Sequence, residues 1–87
     1  MKIEVLAEAF LIAYAQMPEL VTVSRAEKKL MEMGFEEHPI LDELFDQDVL
    51  MSVHTPTEDE EVLVPTDYGK ERIYRIVERI EEQWWFH

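Results

Sequence analysis

Eighty-seven residues carry 20 acidic and 8 basic side chains, a formal net charge of −12, with 47% hydrophobic content and no cysteine. That length allows one small domain burying roughly 60–65% of its unfolded surface, and its apolar share is ordinary for a globular protein, so the acidity does not signal disorder. Lack of cysteine excludes disulfides, thiol catalysis and cysteine-ligated zinc, and the charge is the reverse of the usual nucleic-acid or anionic-lipid binder.

No run of about 18 apolar residues exists to span a membrane. Glu4 and Glu8 interrupt the first apolar run, so the N-terminus does not read as a signal peptide. A cytoplasmic chain is the expectation. Lys2 to Gln16 reads as a helix, with Ile3, Leu6, Phe10, Ala13 and Tyr14 at three- and four-residue spacing. Leu11 and Ile12 widen that stripe, which predicts a central rather than a peripheral helix. Met17-Pro18 is expected to end it. Leu20 to Val23 is a short extended piece, and Ser24-Arg25-Ala26-Glu27 has the form of a capping box opening a second helix. That helix should run to Met33, with Ala26, Leu30 and Met33 inward and Gly34 as its C′ stop.

A third helix is expected between Glu36 and Asp46, with Pro39 in its first turn and Ile40, Leu41, Leu44 and Phe45 as its apolar face. Val49 to His54 and Glu61 to Pro65 are β-prone runs around a polar loop. Thr66 or Asp67 should cap a last helix from Tyr68 to Trp84, striped by Ile73, Ile76, Val77, Ile80 and Trp84, with Glu71 and Arg75 paired at i,i+4.

The stretch from Leu30 to Gly69 holds no lysine or arginine, and 12 of its 40 residues are acidic. Its pattern also resembles a known architecture. Leu41-x-x-Leu44 followed by Asp48-Val49-Leu50 looks like a recognition helix passing into a first wing strand. Thr66-Asp67-Tyr68-Gly69-Lys70 is similar to the L-T-x-x-G-(K/R) stretch of MarR- and PadR-like regulators, with Pro65 where those have leucine. The resemblance implies a single α+β winged helix-turn-helix domain over residues 1–87: three helices, a hairpin wing and a closing helix.

Such domains mostly bind DNA, with the third helix in the major groove. Carried over, the groove-facing positions are Glu36, Glu37, Asp42, Glu43, Asp46 and Gln47, and the wing tip is Glu58, Asp59, Glu60 and Glu61. Phosphate contacts need cations or neutral donors. A like charge at about 4 Å costs roughly 1 kcal/mol even in water, and several together outweigh a base hydrogen bond. The implied partner is therefore a basic protein surface, bound by these acids and Asp48, and direct nucleic-acid binding is not expected. In size and charge the chain also resembles phage-encoded anti-CRISPR and DNA-mimic inhibitors. The alternative is a DNA-binding transcription regulator using the basic ends of the second and fourth helices (Arg25, Lys28, Lys29; Lys70, Arg72, Arg75, Arg79). The plainer reading of those bases is pairing with neighbouring acids, and that of the acids is a solvated surface.

No enzyme activity or cofactor is expected. There is no G-x-S-x-G elbow or glycine-rich phosphate loop, and His38, His54 and His87 lack H-E-x-x-H spacing for a metal. Trp84-Trp85-Phe86 near the C-terminus would form a sticky patch if exposed, which suggests a homodimer or partner contact there.

Overall fold

The computed structural model describes the backbone of residues 2–17 and 20–85, and the side chains of these through residue 81. The elements run α1 (Ile3–Ala15), β1 (Val21–Thr22), α2 (Val23–Glu32), α3 (Ile40–Asp46), β2 (Leu50–Val53), β3 (Val62–Pro65) and α4 (Asp67–Trp85). Among the described residues this is an α+β arrangement of four helices and one antiparallel sheet ordered β1-β3-β2. The hairpin pairs Leu50 with Pro65 through Val53 with Val62, and β1 lies on the other side of β3, pairing Val21 with Leu63 and Thr22 with Val62.

α1 holds the expected central place, packing on both α3 and α4. Its Phe10 and Leu11 are fully buried, against a cluster that includes Ile40 and Leu44 of α3, Val49 and Leu50 at the start of the hairpin, and Ile76 of α4. Burying side chains of this size contributes about 1.5–3 kcal/mol each, which makes the cluster the main support of a chain without disulfides. Tyr14 extends the contact to the sheet: its hydroxyl donates to the Leu63 carbonyl at 2.9 Å, and burial raises its pKa.

The expected apolar face of α2 forms, and that of α3 forms through Ile40 and Leu44, with Leu41 half-buried and Phe45 exposed; the starts of both helices differ from the sequence reading. Thr22, not Ser24, caps α2: it leaves β1 with extended dihedrals, and its Oγ1 accepts from the Arg25 N–H at 3.2 Å. The Ser24–Glu27 capping box does not form, because the helix opens directly from the strand and the Ser24 hydroxyl donates to Glu60 instead. α3 begins at Ile40 rather than Glu36, with Pro39 as its N-cap residue. The residue before a proline avoids the α region, so 36–38 form turns instead of a first helical turn.

Two helices end alike. Gly34, at φ +77°, donates to the Met31 carbonyl and Phe35 to that of Leu30; Asp48, at φ +58°, donates to Phe45 and Val49 to Leu44. Each is a Schellman closure. The second turns the chain straight from α3 into β2. The strands are shorter than expected: Val49 is fully buried but its N–H closes α3 on the Leu44 carbonyl, and at the loop end the exposed His54 and Glu61 fall outside the strands. On α4, Ile76 is buried, Ile73 and Val77 are half-buried, and Ile80 is already 38% exposed, so the stripe leaves the core before its end. Met17 lies at the end of the first described stretch; Pro18, Phe86, His87 and the side chains of Trp84 and Trp85 lie outside the described residues. Among the described residues no helix is long and apolar enough to cross a membrane.

Candidate acidic interface

The candidate site divides between two supports. The first is α3 with the turn that leads into it. Glu36 and Glu37 are exposed in that turn, Asp42 and Asp46 are exposed on α3, and Glu43 is half-buried. Asp42 and Glu43 fall in the first helical turn, where the helix dipole favours a carboxylate. Asp46 and Asp48 stand at the opposite, negative end, where no basic residue occupies the last turn. An acid there opposes the dipole and costs about 0.3–1 kcal/mol.

The second support is the loop between β2 and β3. Asp59 and Glu61 are exposed and Glu58 is half-buried. Glu60 is turned inward along the chain: its carboxylate accepts from the Ser24 N–H at 2.7 Å and from the Ser24 hydroxyl at 2.8 Å. These bonds satisfy one of the free donors at the start of α2 and hold the Glu60 carboxyl below its usual pKa. Glu60 therefore also anchors the loop to α2. Sequence reading missed this because the two partners are 36 residues apart.

The bases on α4 are partly committed. Arg72 donates to Glu8 on α1 at 2.5 Å and to Gln47 Oε1 at 2.7 Å, and its guanidinium lies 5.9 Å from the Tyr68 ring centre. Gln47 in turn donates to Glu43 at 2.7 Å. One arginine thus ties α1, the end of α3 and α4 together, which is the intramolecular pairing read as the plainer option. On α2, Lys29 pairs with Glu32 at 3.7 Å. The Glu71–Arg75 pair expected on α4 does not form; Lys29–Glu32 and Arg72–Glu8 are the ion pairs seen between described residues. Among those residues, too, no three of His, Asp and Glu cluster as metal ligands would.

A feature absent from the sequence reading is a cleft of about 390 Å³ between α2 and the start of α3. Leu30 and Ile40 form its buried floor, while Met31 is 65% exposed. Glu27, Glu36 and Asp42 line it as well, and no lysine or arginine does. Compared with known proteins, the chain matches no family model, no curated protein and no solved structure.

Proposed function

We propose that this protein is a non-enzymatic interaction domain of winged-helix type that binds a basic protein surface and so blocks nucleic acid from reaching it. The succession α1-β1-α2-α3-β2-β3-α4 with sheet order β1-β3-β2 supports the winged-helix reading. α2 and α3 then form the helix-turn-helix, and β2 and β3 the wing. The observation that carries the function is the placement of Asp46 and Asp48. They sit at the end of α3 where carboxylates weaken the helix, and they make no ion pair with another described residue. A local rule broken without a compensating contact marks a position kept for something other than stability. Together with Glu36, Glu37, Asp42 and Glu43 they give the helix that would face a duplex the sign of a duplex. Asp59 and Glu61 continue that charge on the hairpin loop, with Glu58 beside them, and Glu60 holds the loop in place.

The test compares the wild-type chain with Asp42→Lys/Asp46→Lys as bait in native lysate, at low and moderate salt, with captured proteins identified by mass. Cationic nucleic-acid-binding proteins should be retained by the wild type, released by salt, and lost severalfold with the variant, since steering charges act on association and its salt dependence. Equal capture by both baits overturns the reading. A gel shift of random duplex by the wild type at low salt would favour the regulator alternative instead.

A further inference from the structure

We infer that the cleft between α2 and α3 is a docking groove for a basic amphipathic helix of the partner. The proposal rests on the acidic-interface reading and specifies the chemistry of what is bound. α2 sorts its side chains between two clefts. Arg25, Lys28 and Lys29 line the one facing the end of α1, whereas Glu27, Leu30 and Met31 line the one facing α3. The α3-side cleft therefore has an apolar floor and three carboxylates (Glu27, Glu36 and Asp42), with His38 beside them and no lysine or arginine in its lining. Its volume of about 390 Å³ is at the lower end for a small-ligand pocket and suits one or two inserted side chains.

Met31 and Leu41 are what make this more than a charged surface. Met31 is 65% exposed beside the buried Leu30 and Ile40, and Leu41 is only half-buried. An unbranched thioether adapts to whatever is laid against it, which is why methionine recurs in grooves that accept amphipathic helices. Pure charge attraction would need no such apolar strip. An occupant with one large apolar side chain, flanked a helical turn away by lysine or arginine, covers Met31 and meets the three carboxylates at the same time. A neutral apolar helix would leave those carboxylates desolvated and unpaired, and a purely basic one would leave Met31 in water.

The probe is a pair of 18-residue helical peptides, one of leucine and lysine at amphipathic spacing and one with alanine replacing the leucines, titrated into the full chain and followed by amide NMR shifts. The leucine–lysine peptide should shift residues 27–31 and 36–42, bind at least about tenfold more tightly than the alanine–lysine peptide, and lose about tenfold on Met31→Lys, as expected for one central anchor. Tyr74→Ser, at an exposed position of α4, should leave its affinity unchanged. Equal affinity for the two peptides, or shifts centred on the hairpin, overturns the groove while leaving the acidic interface standing. If neither peptide binds, groove and interface fall together.

Discussion

Asp48 is the one non-glycine residue with positive φ among those described, and it closes α3 where glycine is the usual choice. A side chain with a Cβ pays roughly 1–2 kcal/mol in that conformation, less for aspartate, and the carboxylate also faces the negative end of the helix. Glycine would give back part of that through its greater freedom when unfolded. Asp48→Gly should therefore stabilise the chain by about 1 kcal/mol, read as a higher urea midpoint, while removing one proposed interface charge. Gly69 has the opposite sign. In an exposed helix an alanine would gain up to about 1 kcal/mol. Here, however, a methyl would run into the Val49 carbonyl, which already accepts from the Thr66 N–H at 3.0 Å. Backbone cannot swing aside as a side chain can. Gly69→Ala should destabilise by about 1–3 kcal/mol in the same measurement. Thr66 completes the local arrangement, accepting from the Gly69 N–H at 2.9 Å and donating to the Asp48 carbonyl. Tyr14 supplies a prediction in pH. Its pKa is raised in the folded state by burial, so the neutral phenol is the form the fold accommodates. Its contribution is complete below the ordinary value of about 10 and declines as the pH rises past it. Between pH 8 and 11 the wild type should lose more of its urea midpoint than Tyr14→Phe; an equal loss would put the alkaline sensitivity elsewhere.

At the scale of elements, the joint between the hairpin loop and α2 depends on Glu60. Its carboxyl titrates low in the folded state because the Ser24 N–H, and then the Ser24 hydroxyl, donate to the charged form. A depressed folded pKa means stability that is present above the ordinary glutamate value of about 4.3 and is lost as the pH falls through the lowered one. Thermal melts from pH 6 down to 3 should therefore show a steeper fall for the wild type than for Glu60→Gln, with Ser24→Ala, which keeps the backbone donor, falling between the two. Parallel curves would mean that the bond does not hold the loop. The same joint marks the limit of what sequence could reveal. Helix periodicity, Gly34 and the Thr-x-x-Gly turn are local signals, and each appears in the structure close to its expected place. α3 starts at Ile40 rather than Glu36 because helical geometry is disfavoured at the residue before a proline, so Pro39 opens the helix instead of lying within its first turn. Contacts between distant residues left no local trace: Glu60 with Ser24, Arg72 with Glu8 and Gln47, and the cleft below Met31 all depend on how helices pack. The acidic composition of 30–69 was plain in the sequence, but which carboxylates are committed internally was not.

For the molecule as a whole, the excess charge acts against stability and, in the proposed reading, in favour of binding. The chain carries −12 within extents of 42 × 30 × 22 Å. At 0.01 M salt the screening length is about 30 Å, so nearly every carboxylate senses the others; at 0.15 M it is about 8 Å, and only near neighbours interact. Unfolding lets the charges separate, so the repulsion opposes the compact state and screening relieves it. The ion pairs seen between described residues, Lys29–Glu32 and Arg72–Glu8, lose strength over the same range, but exposed pairs contribute at most about 1 kcal/mol each. Repulsion among twelve unbalanced charges outweighs that. The melting temperature should rise between 10 and 150 mM sodium chloride, while association with a cationic partner slows over the same interval. A melting temperature that falls with salt would show that the acids are held by compensating contacts. Carboxylates balanced in that way would have little field left to offer a basic surface, so this one measurement bears on the stability of the fold and on its proposed use.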